Sequence, residues 1–79
     1  MSSHAFDVLS KSRTEIEIAH HEDGHRYKFS VVKNGQGKRV LSESAEVVAV
    51  PGAKHPSEWY SASARAFAMT AAHRAHAID

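Results

Sequence analysis

The chain has 79 residues and no cysteine, so it is expected to be one domain over residues 1–79 without a disulfide or a cysteine-ligated zinc site. Its formal net charge is +1 with interspersed signs, which argues against the basic patch of an obligate nucleic-acid binder. Because the N-terminus lacks the apolar core of a signal peptide and runs such as VVAV (47–50) are far too short to span a bilayer, we expect no membrane segment and a cytoplasmic location.

The first half of the chain is patterned for β-structure. HAFDVLSK (4–11) alternates weakly and predicts an edge strand or a short helix. TEIEIAHH (14–21) and HRYKFSVV (25–32) alternate strictly between apolar and polar side chains, as half-buried strands do.

Between these two strands lies Asp23-Gly24, the dipeptide that a two-residue type I′ hairpin turn prefers. With that turn, every apolar residue faces an apolar partner, and a one-residue slip would bury charges. The predicted pairs are Glu22–His25, His20–Tyr27, Ile18–Phe29 and Ile16–Val31. The opposite face then carries Glu17, Arg26 and Lys28, with Glu17 diagonal to Lys28.

A second turn is predicted at Asn34-Gly35, with a loop of two or four residues. The segment that follows is prone to β-structure at both ends and polar in the middle. We therefore expect a third strand over 38–43, a bend, and a further extended piece over 45–50, so that the sheet spans about 4–50.

The chain ends in a predicted helix. PGAKHP (51–56) breaks the preceding structure, and after a loop at 51–55 an Ala-rich segment without Gly or internal Pro predicts a helix over about 56–77. The expected core stripe consists of Tyr60, Ala64, Phe67, Ala71 and Ile78. Trp59 lies at the edge of this stripe, as a core residue in the favoured interpretation or as an interface anchor. The predicted fold class is α+β: an antiparallel sheet of three to four strands, packed on one face by a single long C-terminal helix.

HHEDGH (20–25) contains side-chain types that bind zinc. In the predicted hairpin His20, Glu22 and His25 project to one face, but a solvent-facing tip would hold a metal only loosely. We interpret the tip as polar, with His20 stacked beside Tyr27. His73 and His76 form a second pair without a third ligand nearby. The sequence thus predicts no metal and no cofactor.

No segment carries a nucleophile motif or a phosphate-binding loop, so the chain is not predicted to be an enzyme. The helix face opposite the core combines a central Met with small residues and a cationic rim, which is typical of a protein interface. This predicted partner-binding face consists of Ala62, Arg65, Ala66, Met69, Ala72, His73 and His76. Self-association into a homodimer is the first candidate for its use, and the sheet face with Glu17, Arg26 and Lys28 is the alternative surface.

Two resemblances bear on function. The order of hairpin, third strand and Ala-rich helix over 14–76 resembles the C-terminal part of a double-stranded-RNA-binding domain, whose second helix opens with phosphate-gripping lysines; here that position offers Lys54 and His55, followed by Glu58. In format, a tiny cysteine-free domain with a sheet and one helix is similar to the anti-CRISPR proteins of phages and mobile elements. This resemblance implies a non-enzymatic protein-binding module that inhibits a CRISPR–Cas complex by covering its surface, in the cytoplasm of the host cell if the gene is phage-encoded. The alternative function is nucleic-acid binding through Arg26, Lys28, Lys38, Arg39 and Lys54.

Overall fold

A computed structural model of the protein describes residues 5–79. Its elements are β1 (Phe6–Lys11), β2 (Glu15–His20), β3 (Arg26–Lys33), β4 (Arg39–Leu41), β5 (Glu46–Val48), a 3₁₀ turn (Ser57–Tyr60) and α1 (Ser61–Arg74). The predicted α+β class, an antiparallel sheet with one C-terminal helix, is confirmed. The N-terminal segment is a strand rather than a helix, and the predicted sheet start at residue 4 lies outside the described residues.

The strands run in the order β1-β2-β3-β4, and all pairings are antiparallel. β4 pairs with Val31–Lys33 at the C-terminal half of β3, whereas β5 pairs with Arg26–Lys28 at its N-terminal half. The two short strands therefore form one edge interrupted by a bend. At that bend the Ser42 hydroxyl donates to the Ser44 carbonyl at 2.8 Å and accepts from the Ser30 N–H at 3.1 Å. The predicted order of a strand, a polar bend and a second strand is confirmed.

The β2–β3 hairpin keeps the predicted face but not the predicted register. Ile18 lies opposite Tyr27 and Ile16 opposite Phe29, two residues away from the expected pairs. The loop holds four residues, 21–24, because the His20 N–H bonds to the His25 carbonyl at 2.8 Å. A type I′ turn needs positive φ at both central residues, but in this loop only Gly24 has it, at 77°.

The β3–β4 loop also differs from both predicted lengths. Asn34 and Lys38 are joined by a backbone hydrogen bond of 2.9 Å, which leaves three residues between them. Gly37 takes φ 78°, the left-handed position that three-residue hairpin loops assign to Gly. The Asn34 side-chain oxygen accepts from the N–H groups of Gln36 and Lys38 and so fixes the turn from within.

The core lies between the sheet and α1. The sheet supplies most of the large buried side chains, and the fully buried residues of α1 are all Ala, so that the helix can lie close to the rings beneath it. The buried apolar residues are Phe6, Ile16, Ile18, Tyr27, Phe29, Leu41, Ala64, Ala68, Ala72, Ala77 and Ile78. The helix is thus rotated from the predicted orientation: its buried stripe is Ala64, Ala68 and Ala72, while Phe67 and Ala71 flank it half-buried.

The helix ends earlier than predicted, at Arg74, in a Schellman motif. The His76 N–H bonds to the His73 carbonyl and the Ala77 N–H to the Ala72 carbonyl, with His76 in the left-handed region at φ 58°. Beyond this turn Ala77 and Ile78 return to the core.

Candidate protein-binding surface

The predicted partner-binding face of the helix is largely engaged with the rest of the chain. Ala72 is 1% exposed, and Met69 packs half-buried against the core. The Arg65 guanidinium donates to the carbonyls of Leu41 and Ser42 at 3.2 Å each and contacts the Met69 sulfur. The predicted outward placement of Arg65, Met69 and Ala72 was therefore wrong. The stripe of α1 that contacts the sheet is displaced by about one residue from the predicted core stripe, which turns these three side chains towards the sheet.

The remaining members of that predicted face, Ala62, Ala66, His73 and His76, are exposed, and His76 lies beyond the helix end. They present methyl groups and polar side chains without a large apolar anchor. An interface core normally needs such an anchor. This face consequently offers little with which to hold a partner.

The open sheet face neutralises its own charge. Glu17 on β2 lies directly opposite Lys28 on β3 rather than diagonal to it, and Glu46 on β5 lies opposite Lys28 from the other neighbouring strand. Lys28 Nζ also lies 3.5 Å from Glu15 Oε2. Such cross-strand pairs stabilise a sheet modestly, and beside them the face exposes two separate valines, Val48 next to Arg26 and Val32 at the other end of β3.

The two histidines of the hairpin that were expected at its polar tip are buried. His25 is 1% exposed and spans from β3 to the following loop: its Nδ1 accepts from the Val50 N–H at 3.0 Å, and its Nε2 lies 2.7 Å from the His55 carbonyl. Because a carbonyl only accepts and an N–H only donates, the ring is the neutral tautomer with its proton on Nε2. His25 thereby holds the loop 50–55 against the sheet.

His20 also faces inward, 6% exposed. Its ring stacks on Tyr60 at 3.7 Å, with Phe6 edge-on at 5.2 Å, so the predicted stacking on Tyr27 was wrong. Within residues 5–79 no group of three or more His, Asp or Glu side chains is placed to hold a metal ion.

Asp23 joins the hairpin loop to the start of the helical segment. Its Oδ2 accepts from the Tyr60 hydroxyl at 2.6 Å and from the His55 N–H at 3.2 Å. The Tyr60 hydrogen bond holds the pKa of the Asp23 carboxyl below its usual range, and burial followed by this hydrogen bond raises the pKa of Tyr60 to about 12. The loops 21–24 and 50–60 are therefore one braced unit.

On this braced unit lies the most exposed large apolar side chain that the structure describes. Trp59 is 68% exposed, so the favoured prediction of a core position was wrong. The first turn is 3₁₀ with 3.0 residues per turn, which places its side chains on faces that an α-helical wheel does not predict. The Trp59 ring stacks on His55 at 4.7 Å with an interplanar angle of 10°.

Two exposed valines lie on the side of the sheet that carries the helical segment. Val47, 44% exposed, lies opposite Tyr27, whose hydroxyl donates to the Ser57 carbonyl, and Val50, 39% exposed, is bonded to His25, which also contacts the His55 backbone. Val48, 62% exposed, lies opposite Arg26 and faces the open side of the sheet. We call Val47, Val50, His55 and Trp59 the Trp59 surface. Sequence reasoning missed the valines, although a short apolar run without alternation just before Pro51-Gly52 was a signal for them.

Carboxylates border the Trp59 surface. Glu58 precedes Trp59, and Glu22 is close enough to Tyr60 to raise the pKa of its phenol, whereas Glu46 lies opposite Lys28 on the open sheet face. Lys54 precedes His55 and is the cation in this loop. The surface is thus an apolar patch with a mainly acidic border.

The five cations of the predicted nucleic-acid site do not form one patch. Arg26 and Lys28 lie on the open sheet face, and Lys54 lies in the loop beside Trp59. Lys38 and Arg39 lie at the β3–β4 hairpin, beside the C-terminal Asp79.

Comparisons of the chain with protein-family models, with curated proteins and with solved structures found no match. Among residues 5–79 no helix is both long and apolar enough to cross a membrane.

Proposed function

We propose that this chain is a non-enzymatic protein-binding module that covers part of a protein partner with the Trp59 surface. The observation that carries the proposal is the 68% exposure of Trp59 on a braced support. Trp is the residue type most enriched among the energetically dominant residues of interfaces. Its stack on His55, together with the hydrogen bonds of Asp23 and His25, reduces the entropy that binding would cost.

The proposal includes the chemistry of the partner. The acidic border formed by Glu22 and Glu58 complements an apolar cleft rimmed by Lys and Arg. CRISPR–Cas effector complexes carry guide and target strands in positively charged channels. A subunit of such a complex, as the anti-CRISPR format implies, is the partner that we propose.

The described ionisable groups also support a binding role. Those with shifted pKa values (His21, Asp23, Tyr27, Arg39, Tyr60 and Asp79) have hydrogen-bond partners within the chain. Catalytic groups, in contrast, are usually oriented towards a cleft where substrate can reach them.

Binding to purified effector complexes loaded with guide RNA, measured by biolayer interferometry together with target cleavage, tests the proposal. We expect the wild type to bind and inhibit, and Trp59→Ala to weaken binding by about thirtyfold, which corresponds to about 2 kcal/mol. Ala66→Glu is the matched control on the exposed helix face and should bind like the wild type. If Trp59→Ala inhibits cleavage fully and Ala66→Glu loses binding, the interface lies on the exposed face of the helix and the proposal is wrong.

Self-association is a separate arm of this test. Light scattering of the wild type and Trp59→Ala at rising concentration shows whether a second copy occupies the surface. A wild type that stays monomeric excludes the homodimer and leaves the foreign partner. Since Trp59 is the single Trp of the chain, its fluorescence checks the exposure directly: emission should be that of hydrated indole and change little when urea unfolds the monomer.

A further inference from the structure

Positively charged side chains are concentrated at one end of the molecule, although the net charge of the chain is only +1. The β1–β2 turn, the β3–β4 hairpin and the C-terminal end of α1 meet at the end of the molecule remote from Trp59. We call this end the basic pole. Six of the ten Lys and Arg residues lie there, accompanied by Asp79, which pairs with Arg39, and by Glu15, whose carboxylate lies 3.5 Å from Lys28 Nζ. The six are Lys11, Arg13, Lys33, Lys38, Arg39 and Arg74.

Two adjoining concavities open at the basic pole. A cleft of about 440 Å³ lies between the β1–β2 turn and the end of α1, and Lys11, Arg13, Arg39 and His76 line it. A groove of about 340 Å³ lies between β1 and α1, with Val8, Phe67 and Ala71 among its lining and Lys11 and Arg74 as its cations. Lys11 is common to both, so the cationic cleft continues into the apolar groove.

The turn that presents Lys11 and Arg13 is fixed from within. The Ser12 hydroxyl accepts from the N–H groups of Thr14 and Glu15, and the Ser12 N–H donates to the Glu15 carbonyl at 2.8 Å. Arg39 is held differently, because its guanidinium donates to Asp79 at 3.0 Å. Among residues 5–79, Lys11 and Arg13 of the cleft have no carboxylate within ion-pair distance, and a carboxylate partly neutralises the third cation, Arg39.

We propose that the basic pole binds the phosphate backbone of single-stranded nucleic acid, with a phosphate in the cleft and an unpaired base in the groove. Cations that follow a backbone, next to an apolar surface on which a base packs, are how single strands are held. A duplex would keep its bases out of the groove. Six cations exceed what one phosphate requires, which favours a strand over a free nucleotide. This inference is independent of the Trp59 surface at the other end of the helix.

Fluorescence anisotropy of a labelled oligothymidylate measures the binding. Lys11→Gln/Arg13→Gln removes two cations from the cleft, and Arg26→Gln/Lys54→Gln removes the same charge elsewhere. We expect about a tenfold loss of affinity at low salt for the first pair and little for the second. The salt dependence should fall as well, with the slope of log K against log salt smaller in magnitude by about 0.7 for each phosphate contact that is lost. Equal losses from both pairs, or no binding by the wild type, would overturn the site.

A variant that binds more tightly is a useful second test, because unfolding can explain a loss of affinity but not a gain. Asp79→Asn removes the carboxylate that pairs with Arg39 at the basic pole, so this variant should bind the oligonucleotide more tightly than the wild type. An abasic oligomer of equal length should bind more weakly than the oligothymidylate, because the groove would stay empty. Equal binding of the abasic oligomer, or displacement of the strand by stoichiometric thymidine monophosphate, would refute the strand assignment.

Discussion

His25 is the residue whose replacement tests the bracing of the Trp59 surface most directly. His25→Phe keeps a ring of similar size at a position that is 1% exposed, but the new ring neither donates nor accepts. The Val50 N–H and the His55 carbonyl, bonded at 3.0 and 2.7 Å, then lose their partner. Each unsatisfied buried group costs about 1–3 kcal/mol.

The two unsatisfied groups together would cost about 2–6 kcal/mol. Because Val50 and His55 lie in a loop that water partly reaches, we expect a loss in the lower half of this range, about 3 kcal/mol. Urea unfolding followed by circular dichroism measures this cost. With an m-value of about 1 kcal/mol/M, the midpoint should fall by about 3 M. His25→Asn retains the acceptor for Val50 and His25→Gln the donor for His55, so both should give smaller losses.

His73→Phe is the matched control, because His73 is exposed on the helix and Phe has a similar helix propensity. Its midpoint should stay close to that of the wild type. If His25→Phe unfolds at the same urea concentration as His73→Phe, the two hydrogen bonds do not hold the loop. The bracing of the Trp59 surface would then need another explanation.

Three further predictions concern the core, the Asp23–Tyr60 pair and the helix end. Phe29→Ala, at a position 2% exposed, should lose about 3–5 kcal/mol in urea unfolding, whereas Lys28→Ala on the open face should change stability by about 0.5 kcal/mol; similar losses from both would contradict the face assignment. The stabilisation from the neutral Tyr60 phenol is complete below its unfolded pKa of 10.0 and is lost as the pH rises towards about 12, while that from ionised Asp23 is lost as the pH falls below its unfolded pKa of 3.8. Tyr60→Phe should flatten both limbs of the stability–pH curve, and an unchanged alkaline limb would argue against the hydrogen bond. His76→Gly should raise the free energy of unfolding by about 0.5–1 kcal/mol, since Gly adopts φ 58° without strain; a lower free energy of unfolding would mean that the His76 side chain itself stabilises the turn.

Local pattern was sufficient for the architecture. The alternation of Ile16 and Ile18, and of Tyr27 and Phe29, determines which side of each strand is buried, because successive strand residues point to opposite faces. The Ala-rich segment after Pro56 predicts one helix that covers this face. Both signals depend only on neighbours in the chain, so the sequence alone carries them.

Register, helix rotation and the functional surfaces depend on contacts between residues distant in the chain. The hairpin loop holds four residues where His20 and Asp23 engage Tyr60 and His55, more than 30 positions away, and no local turn preference encodes those partners. The helix turns its Ala stripe inward because the sheet already supplies the large rings. The same packing leaves Trp59 exposed, and only the folded chain brings the β1–β2 turn, the β3–β4 hairpin and the helix end together into one basic pole.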